Sequence, residues 1–168
     1  MVRTATVWHN ALMKIVTPAL IDDLILRASR SPRGRMNLNL HEQLSDPINR
    51  FVNAGTEGSY VRAHRHQPGR WELMAILRGR ARVVTFADDG AITGAYALDA
   101  ETALAVEIPG ACWHTVIFHA PSAAVLEVKP GPYDVKTDKE FAAWAPAEGS
   151  REAADFLHSL AAELERRC

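Results

Sequence analysis

The sequence predicts an all-β protein, a sandwich or barrel of short strands with a helix at each end. Three observations predict it. The middle of the chain is a series of short β-rich segments, several alternating with period two; turn formers punctuate them at short intervals; and helical periodicity is confined to the two ends.

The elements follow in order. "TPALIDDLILRASRSPRGR" opens with Thr17 as a helix cap and Pro18 in the first turn, where its missing N–H costs nothing. Leu20, Leu24 and Arg27 share a face with Ile21 and Ala28, and the helix is expected to end near Ser31-Pro32. "MNLNLH", "NRFVNA", "SYVRAH", "ELMAILRG", "ARVVTF", "LAVEIP", "WHTVIFH" and "AAVLEVK" then read as strands. "FADDGAIT" reads as a hairpin connection, with Asp89-Gly90 supplying positive φ angles. "KPGPYDVKTDKEFAAWAPAEG" reads as an extended flap anchored by Phe141 and Trp144. In the last segment Ser150 caps a helix whose apolar stripe, Phe156, Leu157, Leu160 and Leu164, packs on the barrel. One domain is expected: an N-terminal helical segment over 1–35, a β-barrel over 36–135, and a flap and helix over 136–168.

Composition narrows the function. The chain has 168 residues, 48% hydrophobic and 23% charged, with a formal net charge of −1. Basic residues form no run, so neither a nucleic acid nor a membrane surface is an expected partner. The two cysteines, Cys112 and Cys168, make neither a disulfide framework nor a CxxC motif. No stretch has the length of a membrane span, and a cytoplasmic protein is expected. Nucleophile elbow, P-loop and dinucleotide fingerprint are absent.

The chemistry concentrates in "HRHQPGRWE". His64 and His66 are two apart, so in a strand they project side by side. A turn containing Pro68 and Gly69 returns the chain to Glu72, and "IPGACWHT" places His114 at the start of another strand. Imidazoles with one carboxylate suit a divalent transition metal such as Fe, Zn, Ni or Mn, and leave positions open for substrate or water. The plainer alternative is a surface histidine pair and an ordinary core His114.

The spacing of His64, His66, Glu72 and Gly79, then Pro109 and His114, resembles the two motifs of cupins, small jelly-roll β-barrels whose motifs converge on one metal. Three departures stand out. The loop from His66 to Glu72 is one residue longer, Ala111 takes a usual glycine place, and the usual Asn after the last histidine is missing. "SPRGRMNLNLHE", "GSYVRAHRH", "WELMAILRG", "IPGACWHT", "EVKPGPYD" and "DKEFAAWAP" further resemble the WbuC-type cupin metalloproteins, encoded in bacterial surface-polysaccharide (O-antigen) gene clusters. The resemblance implies a cupin jelly-roll barrel with one bound metal at His64, His66, Glu72 and His114.

Strand parity names the expected neighbours. Tyr60 and Arg62 should face inward with His64, and Glu127 and Lys129 inward from the last strand. Glu127 and Tyr60 are the candidate proton-transfer residues; Arg62, Lys129 and Tyr60 are the candidate ligand contacts. Arg62 and Glu127 pairing as structural glue is the alternative. Asn37, Asn39 and His41 point to one side of "MNLNLH", either as the outer face of an edge strand or as a polar rim over the pocket. Cys112 shares the inward parity of His114 and reads as a small core residue; Trp113 reads as outward-packed. His9, His119 and His158 read as ordinary surface or helix residues.

Three functions fit. The first is a metal-dependent enzyme acting on a small sugar-like or acidic metabolite in surface-polysaccharide metabolism. The others are a non-catalytic metal-dependent binding protein and an iron-dependent dioxygenase. Arg62 and Lys129 together favour an anionic ligand. A homodimer formed through the "MNLNLH" edge is the expected oligomer.

Overall fold

The computed structural model describes residues 13–167; His9 and Cys168 lie outside them. The first helix, α1 (Pro18–Ser29), is capped as expected, the Thr17 hydroxyl accepting from the Leu20 N–H at 3.2 Å. Ten strands follow: β1 (Arg35–Asn39), β2 (Ile48–Thr56), β3 (His64–Arg65), β4 (Glu72–Arg78), β5 (Ala81–Phe86), β6 (Ile92–Leu98), β7 (Ala105–Ile108), β8 (Trp113–Phe118), β9 (Ser122–Pro130) and β10 (Glu140–Phe141). The closing helix is α2 (Arg151–Arg166).

The strands form two antiparallel sheets, ordered β1-β2-β9-β4-β7 and β10-β3-β8-β5-β6. Between them lies an apolar cluster that includes Met74, Val83, Leu98, Val116, Phe118 and Val125. A second cluster covers the outer face of the first sheet, where Ile21, Leu24 and Ala28 of α1 meet Val52, Ala54 and Ala124. A third covers the outer face of the second sheet, where Leu160 and Leu164 of α2 meet Val84, Phe86, Trp113 and Ile117. This layering explains why β8 is buried along its whole length. Its even residues face the barrel interior and Trp113 and Ile117 face α2. Fully burying each leucine of the α2 stripe is worth about 1.5–3 kcal/mol, enough to hold a helix whose cap, Ser150, makes no side-chain bond.

Several local expectations are revised. "SYVRAH" is strand only at His64–Arg65. The strand β6, paired to β5 along its length, is missing from the segments picked out by their β-rich composition. Asp89 does not have positive φ; Gly90 alone does, and the Asp89 carboxylate instead accepts from the Ala91 N–H. Arg27 is exposed. Phe141 is 49% exposed, and the flap is anchored by buried Ala142 and Ala145 with Trp144.

The longer loop after His66 is absorbed in one turn. Pro68 and Gly69 occupy its centre, Gly69 at φ +81°, and the Arg70 N–H donates to the Gln67 carbonyl at 3.0 Å. Gly110 fits against this turn: a Cβ there would lie 2.5 Å from the Gln67 oxygen. Ala111 follows at φ +64°, the one described non-glycine residue with positive φ, and its N–H donates to the His66 carbonyl at 2.8 Å. The usual glycine place thus keeps its left-handed conformation although alanine fills it.

Opposite effects are expected at these neighbours. Gly110→Ala should destabilise the protein by about 1–3 kcal/mol through overpacking. Ala111→Gly should stabilise it by about 0.5–1 kcal/mol, because relief of left-handed strain exceeds the added freedom of the unfolded chain. Urea denaturation midpoints of the two variants check both signs.

Candidate metal centre

Four side chains converge inside the barrel. His64 on β3 lies opposite His114 on β8 in register, their rings 4.5 Å apart between centroids. His66 follows just beyond β3, and Glu72 begins β4 in the facing sheet. All four are buried, and each offers a ligand atom within 4.8 Å of the others.

The tautomers are set by the backbone. The Nδ1 of His64 meets the Arg62 carbonyl at 2.9 Å, that of His114 meets the Cys112 carbonyl at 2.9 Å, and that of His66 meets the Asp138 carbonyl at 2.5 Å. A carbonyl oxygen only accepts, so each Nδ1 carries the proton and a neutral ring keeps its lone pair on Nε2. Yet the Nε2 atoms of His66 and His114 stand 2.9 and 3.0 Å from the same Glu72 Oε2. Neutral imidazole lone pairs facing a carboxylate at that distance repel unless a cation lies among them. The donor set therefore fits a divalent metal, and the Nδ1 bonds are the outer contacts that orient metal-binding histidines.

The electrostatics agree. Burial, with Lys139 and His114 nearby, holds His64 well below the usual histidine range, so it stays neutral. Burial opposes ionisation of Glu72, but its contacts with His114 and His66, favourable to the carboxylate once a proton or metal ion lies between ring and oxygen, outweigh it and keep this carboxyl well below its ordinary pKa. Glu127 goes the other way. Burial and the charge of Glu72 push it well above the ordinary range, against the pull of Lys129, and so favour its protonated form. Its Oε2 accepts from Asn53 Nδ2 at 2.6 Å.

Glu127 and Lys129 face a cavity of about 440 Å³ that also reaches His64, Glu72 and His114. Lys129 is not free there. Its ammonium donates to Asp138 Oδ2 at 2.8 Å and lies 3.8 Å from Glu127. Burial lowers the pKa of Lys129, but Glu127, Glu72 and Asp138 more than offset this and raise it.

Tyr60 and Arg62 lie outside the cavity. The Tyr60 hydroxyl donates to the Pro146 carbonyl at 2.9 Å, and its ring meets Phe156 of α2 edge-on. Arg62 donates to the Ala142 carbonyl at 2.9 Å, and its guanidinium lies over the Phe141 ring. The reason is local. Parity holds only along a continuous strand, and the chain before His64 is irregular, so Val61 lines the cavity instead. Arg62 does not pair with Glu127, whose partners are Asn53, Glu72 and Lys129. Asn37, Asn39 and His41 line the cavity as a polar rim, while Leu38 and Leu40 pack toward α1. Cys112 packs at the edge of the interior cluster, and Trp113 faces α2. Asp138 and Asn53 had no spacing signal in the sequence; only the fold brings them to His66 and Glu127.

Comparison with known proteins bears on this architecture. Residues 16–98 match the model of a domain of unknown function (DUF6016). No curated protein matches the sequence significantly. Among solved structures, the capsular polysaccharide assembling protein CapF from Staphylococcus aureus superposes with a TM-score of 0.55 at 18% identity, over 66% of this chain and 30% of CapF. Protein SO0799 from Shewanella oneidensis gives 0.55 at 13%, over 71% and 82%. Oxalate oxidase in complex with the substrate analogue glycolate gives 0.50 at 14%, over 67% and 57%. The chain therefore spans under a third of CapF and little more than half of oxalate oxidase. These neighbours are jelly-roll barrels of one kind.

The chain has the cupin fold. The residues that could ligate a metal sit where the two sheets face each other, on or beside β3, β4 and β8. Among the described residues no helix is long and apolar enough to cross a membrane.

The two carboxyls give the metal-free protein a specific pH dependence. A raised folded-state pKa at Glu127 means that its stabilising contribution is full below about 4.3, the unfolded value, and is lost as pH rises toward the folded value. Glu72 is depressed, so its contribution is present above about 4.3 and is lost as pH falls through its folded value. Glu127→Gln keeps the neutral shape. It should remove the decline above about pH 4.3 while leaving the acid limb, as checked by denaturation of both metal-free proteins across pH.

Proposed function

We propose that this cupin holds one divalent transition metal ion through His64, His66, Glu72 and His114, and acts at it on a small polar metabolite. The observation that carries the proposal is the buried group of His64, His66, Glu72 and His114, whose ligand atoms lie within 4.8 Å of one another beside a cavity that Glu127 also lines. A metal here would act as a Lewis acid toward a bound oxygen of the ligand. Glu127 holds a proton at its carboxyl and gives it to, or takes it from, the ligand. Asn53 fixes the other Glu127 oxygen, and Lys129, paired with Asp138, stabilises the anion that remains. Tyr60 has no place in this chemistry, since its hydroxyl is committed to Pro146.

A sugar-like metabolite of surface-polysaccharide metabolism is the favoured ligand. The several motifs resembling WbuC-type cupins support it, as does the likeness of fold to a capsular polysaccharide assembling protein. The loss of Arg62 from the cavity and the pairing of Lys129 weaken the argument for an anionic ligand, and among the described residues leave Lys139 as the cavity-lining cation without an ion pair. We place the protein in the cytoplasm and expect a homodimer. The free edge of β1 supports pairing across a two-fold axis, and a monomer in light scattering would remove that expectation.

Metal analysis and turnover test the proposal. The purified protein should contain one metal per chain, and His64→Ala or His114→Ala should lose it while the circular dichroism stays β-type. Glu127→Gln should retain the metal and lower turnover by about 10²-fold or more, the scale of one proton-transfer group. Full metal occupancy in the double histidine variant would refute the ligand assignment. Ligand binding without turnover would leave a metal-dependent binding protein.

A further inference from the structure

The cavity has a second polar region that the proposed chemistry does not use. It is built from β1, the loop over residues 40–47 and the start of β2. Strands β2 and β9 separate β1 from β4, where Glu72 lies. The row Asn39, Phe51, Glu127, Met74 crosses these four strands in register. Three strand spacings put its two ends about 14 Å apart along the sheet. One sugar ring does not cover that distance.

Two buried groups in this region have no partner. Asn49 is 1% exposed; its Nδ2 reaches the Asp46 carbonyl at 3.5 Å, and its Oδ1 meets nothing. His41 is 6% exposed; its Nδ1 lies 2.9 Å from the Arg50 carbonyl and 3.1 Å from the Arg50 N–H, and its Nε2 meets nothing. Buried polar atoms of folded proteins are paired with protein groups, ordered water or a ligand. Beside them Asn37 Nδ2 donates to Asn39 Oδ1 at 2.8 Å. The cations at this end are committed elsewhere: Arg33 and Arg35 to Glu148, Lys129 to Asp138.

We infer that this region is the far half of an extended ligand site, holding the uncharged, hydroxylated end of a ligand longer than one sugar ring. The inference rests on the proposed metal reading only for where the other end of the ligand lies. A hydroxyl both donates and accepts, so neighbouring hydroxyls satisfy the lone Asn49 oxygen and the lone His41 Nε2 in either tautomer of that ring. A carboxylate or phosphate only accepts. It would set an anion against the Asn49 oxygen.

Saturation-transfer NMR and titration of the full-length protein, zinc-loaded and metal-stripped, test this with cellobiose, maltose, lactose, glucose and glucuronate. At least one neutral disaccharide should bind fivefold or more tighter than glucose and glucuronate. Asn49→Leu should weaken it tenfold or more with zinc content unchanged, and His41→Phe serves as an independent second variant. The unliganded Asn49→Leu protein should melt no lower than the parent, because its unpaired oxygen is gone. Failure of every disaccharide to bind, preference for glucuronate, or parental affinity in both variants would overturn the inference. Disaccharide binding through Asn49 and His41 in a protein that takes up no zinc would retain this site and refute the metal reading. Stoichiometric zinc without saccharide binding would do the reverse.

Discussion

Three imidazole N–H groups bonded to backbone carbonyls are the constraint on which the site depends. Those bonds, from His64 to Arg62, His66 to Asp138 and His114 to Cys112, fix which nitrogen of each ring is free. With Nδ1 committed, Nε2 of His66 and His114 must face the Glu72 carboxylate. Each carbonyl belongs to a different part of the chain: the irregular approach to β3, the flap, and the turn before β8. The rings are therefore only as well oriented as the backbone around them, and that backbone is held by the clusters under α1 and α2.

The same constraint sets the acid–base character of the cavity. A carboxylate made strongly acidic by two imidazole contacts is a fixed negative charge in a buried place. The next carboxyl, Glu127, cannot ionise beside it and keeps its proton. Two carboxyls of one chemical type thus have their pKa values pushed in opposite directions by their surroundings. Lys129 does not undo this arrangement because Asp138, on the flap, shares its charge. Asp138 also supplies the carbonyl for His66, so the flap contributes to both the metal cluster and the charge balance.

The outer layers explain why a small barrel can carry this much buried polarity. Glu72, Glu127, Lys129, Asp138 and three histidines are all buried, and each is bonded or ion-paired within the cavity wall. His41 and Asn49 break that pattern, each leaving one buried atom without a partner. A cavity wall whose β1 side leaves two buried polar atoms without a partner is shaped for an occupant at that end.

The sequence by itself determined the fold class, the helix start at Thr17 and Pro18, and the nearness of His64 and His66 to Glu72; His114 joined them in sequence only through the resemblance to cupin motifs. These are local or periodic signals: alternation, cap chemistry, and residue spacing across short turns. It also determined that Glu127 and Lys129 share a face, because β9 is an unbroken strand and parity holds along it. Tertiary structure decided the rest. Tyr60 and Arg62 turned outward because the chain before β3 is not a regular strand, and alternation carries no information through irregular backbone. The roles of Asp138 and Asn53, and the reading of Asn37, Asn39 and His41 as cavity wall rather than outer edge, depended on which strands became neighbours. Sheet order joins residues scores of positions apart, as Asn53 is joined to Glu127. No local spacing records it, because it is fixed only when the two sheets close over their common core.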